Sequence, residues 1–443
     1  MSDVTRRDML RIGAGVAAGA ALGGAGALPA SAADKTFKPE PNASIRVLRW
    51  KRFVQGDEDM WMKNTEKFTK ATGVKVRVDN EGWEDVRPKS ALAANIGNGP
   101  DVFVGWLDDP HLYPEKLIDL SDLATYLGDK YGGWYDAARR YGTTKEKGRE
   151  RWLGLPLGAS GALLNYRKSW VKEAGFDKFP TDFENYLKLC QNLKKTGHPA
   201  GFALSHATGD SETWMHNILW GFGGKLVDEK NNVAINSPET VRALEYMKEL
   251  AATFIEGVTA WSGVSNNNAF LEGKISLTSN GISIYYAART SARPEFKVVA
   301  EDMDHAAMPI GPVGRPMELH LLSQAYIFKY SKFPNASKEY LRFMWERDQY
   351  VPWQEASLGY VSHPLKAYGQ TPFWSSDPKI LPFRDICDRL QYHGYAGTLG
   401  YASAACLADW IVVDMFSQVT SGQKTPKEAA AEAEKRAQRY YKI

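Results

Sequence analysis

Two acidic pairs, Glu84-Asp85 and Asp108-Asp109, each follow a tryptophan, Trp83 and Trp106. Paired carboxylates are what a glycoside hydrolase needs, one as acid and one as nucleophile or base. In a binder the same carboxylates accept hydrogen bonds from sugar hydroxyls, while an indole offers a flat apolar face to the ring. Other catalytic signatures fail on spacing. Ser160 sits in G-A-S-G-A, with Ala162 where a nucleophile elbow requires glycine, and Ser169-Trp170-Val171-Lys172 fits S-x-x-K without its companion motifs. The eight histidines include no pair at i, i+4 and none beside a C-x-x-C. Asp228, Lys230 and Asn232 have part of a calcium-loop rhythm, but the glycine and closing glutamate are missing, so the segment reads as a turn. Cys190, Cys387 and Cys406 form no metal-spaced pair, and their odd number leaves at least one thiol unpaired. Cys190 lies on a helical pattern as a small apolar residue.

An α/β pattern must position these residues. Ile45 to Trp50 alternates as a strand, an amphipathic helix runs through Trp61, Thr65 and Phe68 to Thr72-Gly73, and Val74 to Val78 alternates again. A helix over Arg87–Ile96 ends at Gly97-Asn98-Gly99-Pro100, and Asp101 to Val104 reads as a buried strand. Strand-helix-strand-helix-strand with short turns predicts a right-handed parallel unit. Ligands of such sheets lie beyond the carboxyl ends of the strands. Three loops share that rim: Lys51–Asp57, Asn80–Asp85 and Gly105–Asp109.

The 443 residues predict two domains of about 150–200 residues each. A formal charge of +3 gives no signature of nucleic acid or of an anionic membrane surface. Residues 1–32 stand apart from the fold. Arg6-Arg7 precede a Gly/Ala-rich run from Ile12 to Leu28, and Ala30-Ser31-Ala32 supplies a cleavage site; the whole resembles a bacterial twin-arginine export signal removed after Ala32. Its loss takes away three arginines and two aspartates and leaves +2. Fourteen tryptophans and 21 tyrosines serve equally as core filler or as stacking platforms.

Trp152 to Gly175 joins the two halves. Pro156 and Gly154, Gly158 and Gly161 make its first part extended, Ala162-Leu163-Leu164 reads as a short strand to Asn165-Tyr166, and helical texture follows to Gly175. This is either a crossing between lobes, with Gly158–Gly161 as hinge, or a Gly/Pro loop within one domain. Beyond it the pattern predicts a helix capped by Thr181 or Asp182, a strand over Ala200–Leu204, an aromatic helix opened by Gly209-Asp210-Ser211-Glu212, a hairpin about Asp228–Asn232, and a helix from Ser237-Pro238 to about Phe254. Strands follow at Ile275–Thr278 and Gln324–Phe328, then helices over Ala336–Asp348, Ala402–Thr420 and Pro426–Tyr441. Between Arg139 and Arg151 six basic and two acidic side chains mark a solvated hairpin or a permease-docking patch.

The motifs E-K-F-T-K-A-T-G-V-K-V-R-V, G-N-G-P-D-V-F-V, L-P-L-G-A-S-G-A-L-L-N-Y-R-K-S-W-V-K-E-A-G, F-P-T-D-F-E-N-Y and N-N-A-F-L-E-G-K-I-S-L-T-S-N-G occur in this order. Together they resemble the family-one extracellular solute-binding proteins of ABC importers, the sugar-binding type that includes maltodextrin-binding proteins. The family's tryptophan between threonine and aspartate is absent at Thr181-Asp182. The resemblance covers nearly all of 45–443. It implies an α/β, two-lobe periplasmic binding protein fold of type II with three hinge crossings, the lobes being 45–158 with 304–350 and 159–303 with 351–443. It also implies a periplasmic, non-catalytic and monomeric protein without cofactor, whose partners are a small solute and ABC permease subunits. Carbohydrate or polyol is the expected cargo; a polar non-sugar solute or a glycoside hydrolase is the alternative. The ligand-binding residues it implies are Lys51, Arg52, Gln55, Trp83, Glu84, Trp106 and Asp108 in the first lobe, and Ser211, Glu212, Trp214 and Asn280 in the second. Trp261, Asn267, Asn268, His320, Trp353, Tyr360 and Tyr395 complete the set. Each aromatic among them either stacks on ligand or packs the core.

Overall fold

Ten strands carry the architecture of the computed structural model, which describes residues 35–51 and 54–442. The export signal expected at 1–32 and the candidate Arg52 lie outside the described residues. In chain order the strands are β1 (Ser44–Trp50), β2 (Lys75–Glu81), β3 (Val102–Trp106), the pair β4 (Thr143–Glu146) and β5 (Arg149–Trp152), then β6 (Leu155–Ser160), β7 (Leu163–Arg167), β8 (Leu277–Asn280), β9 (Met303–Ala306) and β10 (Leu321–Ile327). Five form one sheet in the order β2-β1-β3-β10-β6, and three form another, β8-β7-β9. β1 runs parallel to β2 and β3, and β10 is antiparallel to β3 and β6. The smaller sheet is antiparallel throughout.

The parallel unit expected at the start is present. Its helices are Gln55–Thr72 and Val86–Ile96, and glycines at φ +75° and +65°, Gly73 and Gly97, stop them. Strand β3 is buried along its whole length, consistent with the unbroken apolar run Val102-Phe103-Val104.

Strand membership shows where the chain passes between sheets. β6 remains in the larger sheet to Ser160 and β7 joins the smaller at Leu163, so the first passage is Gly161-Ala162. The second lies between β9 and β10, and a third follows the Pro334–Trp345 and Arg347–Ala356 helices on its way to the terminal helices. Gly158 precedes the first passage at φ +137°, and a Cβ there would stand 1.7 Å from the Ser362 carbonyl oxygen, so the position requires glycine.

Three expectations differ in detail. Residues 200–204 form no strand; Ala200 makes only an isolated bridge to Phe254. The segment around Asp228 reduces to one bridge, Val227 to Val233, because Asp228 Oδ1 accepts from the Lys230 and Asn232 amides at 2.8 Å and closes a side-chain turn. Two expected helices are each divided: Ala336–Asp348 at Glu346, in extended geometry, and Ala402–Thr420 at Trp410, at φ +55°. Cys190, Cys387 and Cys406 are all free and buried.

The smaller sheet buries a histidine. His305 on β9 packs against Phe383 and Tyr285, with ring centroids 4.8 and 5.9 Å away, and neither ring nitrogen has a hydrogen-bond partner. Burial pushes its pKa down to about 3. The unfolded chain accepts a proton that folded His305 refuses. Its contribution to stability is therefore whole above about pH 6.5 and falls by up to about 1.4 kcal/mol per pH unit as acid approaches pH 3. His305→Leu should remove that share of the slope between pH 6 and 4, measured by urea unfolding at each pH. An unchanged slope would mean that the ring is not kept neutral.

Candidate functional site

Rigid charges and rings back the rim of the larger sheet. Arg49 on β1 is fully buried, with its guanidinium carbon 4.4 Å from the Trp50 ring centroid and 4.5 Å from that of Trp61. It pairs with Asp57, which also accepts from Trp50 Nε1 at 3.0 Å and from Trp353 Nε1 at 2.8 Å. Burial pushes the Asp57 pKa up, while the Arg49 charge and the indole donors pull against it. Trp106, at the end of β3, is fully buried between two other indoles. Trp50 stacks on it at 5.1 Å and Trp83 lies 4.2 Å away, tilted by 34°. Trp106 thus stands behind Trp83, and its own Nε1 has no hydrogen-bond partner.

The short turn Trp83–Asp85 and the start of the helix after it reach the chain that runs between β7 and β8. Trp83 Nε1 donates to the Thr208 carbonyl at 2.9 Å, and Glu84 Oε1 accepts from the Gly263 amide at 2.9 Å. Arg87 is buried and forks between two carboxylates. Its Nε donates to Asp109 Oδ1 at 2.6 Å and its Nη1 to Glu212 Oε1 at 2.8 Å. Burial works against the charge on Arg87, but Asp109 and Glu212 raise its pKa above the ordinary value. Asp109 nevertheless sits at about 6, because burial and neighbouring Asp108 oppose Arg87. Asp108 is buried as well. Burial would raise it, but His393, with Nδ1 3.3 Å from Asp108 Oδ2, holds it below the usual carboxylate range.

Beside these contacts lies a cavity between the sheets, with about 410 Å³ of empty space including its solvent-open part. Trp83, Asn280 and Tyr360 line it, together with the first passage, Ser160 to Ala162. His320 fixes that passage. Its Nδ1 accepts from the Ala162 amide at 2.9 Å, while Nε2 stands 2.7 Å from Glu318. Opposite, the Asp210–Gly221 helix begins at Gly209, whose φ of +82° and whose amide, donating to Glu212 Oε2 at 2.8 Å, turn Asp210 onto the cavity. The Asp210 residue retains some exposed surface, but its Oδ2 is shut off from solvent and has no hydrogen-bond partner; the same holds for Nδ2 of buried Asn280. Burial pushes the Asp210 pKa well up, Glu84 and Glu212 add to this, and Asn266 offsets part.

Three of the sequence-derived candidates, Trp83, Asn280 and Tyr360, therefore meet at the cavity. Glu84 and Glu212 hold the segments that frame it. Ser211 and Trp214 are buried and both bond to the Ala203 carbonyl. Lys51, Gln55 and Asn268 are exposed, and Gln55 bonds to Asp59 at 2.6 Å. Trp261 packs on Gly201, Asn267 accepts from Ser283 at 3.0 Å, and Tyr395 accepts from Arg315 at 2.9 Å. The sequence reading passed over Asp210 and Thr213, which also line the cavity. The signal for Asp210 was its place beside Gly209 at a helix start, where it reads as a capping residue. No group of three or more His, Cys, Asp or Glu arranged to hold a metal occurs among the described residues.

The model of a family described as bacterial extracellular solute-binding protein matches residues 63–382. The chain belongs to this family. Among its relatives, a probable ABC transporter-binding protein of Deinococcus radiodurans is 23% identical over 297 residues, 65% of this chain and 67% of the relative. The diacetylchitobiose binding protein DasA of Streptomyces coelicolor is 24% identical over 202 residues, 44% of this chain and 45% of the relative. The GacH receptor of Streptomyces glaucescens, solved unliganded and with acarbose, superposes at TM-score 0.74 and 20% identity over 91% of this chain and 99% of its own. Maltose-bound MalE3 of T. maritima superposes at 0.76 and 18% identity over 89% and 99%. The fold is accordingly the two-lobe α/β, type II periplasmic binding protein fold, with its three crossings.

If Arg87 holds the lobes together, Arg87→Leu should enlarge the ligand-free protein in small-angle scattering, because buried Glu212 would otherwise lose its countercharge and must return to water. A scattering curve identical to that of the wild type would show that the closed arrangement does not depend on this pair.

Proposed function

We propose that the protein captures a carbohydrate or polyol in the cavity between its lobes and passes it to the permease subunits of an ABC importer. The observation that carries this reading is the cavity lining, where two aromatic residues, Trp83 and Tyr360, stand beside a carboxylate and an amide with unpartnered atoms. Rings suit the apolar faces of a sugar, and the open polar atoms suit its hydroxyls. Structural neighbours were solved with acarbose and with maltose, and a sequence relative is named a diacetylchitobiose binding protein, which supports the same cargo class. A hydrolase would need two carboxylates facing its substrate. Asp108 and Asp109 are instead committed to His393 and Arg87, and Asp210 is the one carboxylate among the described residues that line the cavity. Binding without turnover is the reading that fits.

A melting screen with maltose, laminaribiose, diacetylchitobiose, tagatose, sorbitol and simple amines tests the cargo. A ligand at a hundred times its Kd stabilises by about 2.7 kcal/mol, a shift of several degrees. Stabilisation by amines alone would replace the sugar reading with a polar non-sugar cargo.

The protein works in the periplasm, delivered by the twin-arginine signal and cleaved after Ala32. The Arg6-Arg7 pair supports this route. Replacing both arginines with lysine should leave the precursor in the cytoplasm, seen by fractionation and immunoblot; efficient export of that variant would point to general secretion.

A further inference from the structure

We propose that Asp210 and Asn280 act as a pair that selects the cargo by its hydroxyl pattern. Asp210 Oδ2 accepts a hydrogen bond from one hydroxyl, and Asn280 Nδ2 donates one to an oxygen of the same molecule. This deepens the carbohydrate reading and rests on it.

The argument starts from what the two side chains lack. A buried polar atom without a partner is costly, and native proteins keep few of them. Most of the other polar groups at this cavity already have partners. Ser160 Oγ donates to the Tyr360 carbonyl at 2.9 Å, Thr213 Oγ1 to the Asp210 carbonyl at 3.0 Å, and the Ala162 amide to His320. The amide oxygen of Asn280 is likewise occupied. It accepts from the Gly281 amide at 2.6 Å and from Ser283 Oγ at 3.3 Å. These two bonds fix which way the amide points and leave its NH₂ as the open end. The Asn280 main chain is held in β8 opposite Leu163, and its carbonyl accepts from Asn165 at 3.0 Å, so the amide is carried on a rigid strand end. Asp210 is carried on the first turn of a helix fixed by the Arg87–Glu212 contact. One open acceptor and one open donor, each on a stiff element, therefore border one cavity.

The chemistry of the occupant follows. It must bring a donor to Asp210 and an acceptor to Asn280. A hydroxyl supplies both, and a polyhydroxylated ring or chain supplies them at neighbouring carbons. An apolar molecule of the same size would leave both atoms unsatisfied. Sites built to bond a hydroxyl discriminate strongly against analogues that lack it.

The test uses calorimetric titration of the full mature chain and its Asp210→Asn and Asn280→Ser variants with maltose, laminaribiose, diacetylchitobiose and tagatose. For a sugar that the wild type binds, Asp210→Asn should weaken affinity by about ten- to a hundredfold. Its ligand-free melting temperature should equal or exceed the wild type's, because the substitution removes a carboxyl group whose Oδ2 is shut off from solvent without a partner. Asn280→Ser should also weaken binding. Wild-type affinity in Asp210→Asn overturns the pair while leaving the carbohydrate reading intact. Failure of the wild type to bind any of the four sugars overturns that reading and the pair with it. A ligand-free Asp210→Asn that melts several degrees lower makes Asp210 a structural residue and also overturns the proposal.

Discussion

A guanidinium buried between carboxylates from two lobes is the constraint on which the arrangement of the site depends. Arg87 and Asp109 come from the lobe of the larger sheet, and Glu212 opens a helix of the other lobe. A buried charge stripped of one partner is strongly unfavourable, whereas the same groups in water are well solvated. The Arg87–Glu212 contact exchanges hydration of both groups for a charge-assisted hydrogen bond. A ligand that touches both lobes needs only its differential affinity for the closed form to move such a balance. The neighbouring contacts, Trp83 to Thr208 and Glu84 to Gly263, lie on the same five-residue segment.

What closes must be stiff on either side. In the first lobe stiffness comes from Arg49, held between Trp50 and Trp61 and paired with Asp57, to which Trp353 also donates. Trp106 transmits that frame to Trp83 through stacked rings. At the first passage, Gly158 admits the Ser362 carbonyl where a side chain would collide, and His320 grips the next turn of chain.

Most of the fold was legible in the sequence. Period-two runs such as Ile45–Trp50 and stops such as Thr72-Gly73 state local preferences that the tertiary structure did not override. The parallel opening unit follows from them, whereas the stretch around Gly161 read either as a lobe crossing or as a Gly/Pro loop until the family resemblance favoured a crossing. Residues 200–204 misled because Gly201 and Ala203 weaken a strand; Gly201 bonds to Leu277 at the start of β8, but the pairing goes no further, and the Ala203 carbonyl accepts from the Ser211 and Trp214 side chains instead. The site was legible only in outline. The rim loops were placed, but a linear pattern does not tell which tryptophan of a stack faces outward. Trp106 and Trp83 have the same acidic context in sequence, and only the order of stacking separates the buried ring from the one at the cavity. Asp210 stayed hidden because a carboxylate at a helix start has an ordinary explanation, and its lack of a partner exists only in three dimensions.

Three aspartates with carboxylate oxygens shut off from solvent near one rim show how partner rather than burial decides a role. Desolvation acts on Asp108, Asp109 and Asp210 alike and favours the neutral acid. Asp108 stays low because His393 answers it, so it anchors a loop as a charge. Asp109 rises to about 6 because burial, with a smaller push from Asp108, outweighs the pull of Arg87. Asp210 has no cation to answer it; burial and the repulsion of Glu84 and Glu212 drive its pKa well up, and a hydrogen bond with Asn266 offsets only part of this. A folded chain could relieve that tension by placing an asparagine there. Retaining the carboxyl group makes sense where something that comes and goes supplies the missing donor, and the cavity it borders is the place from which such a donor can come.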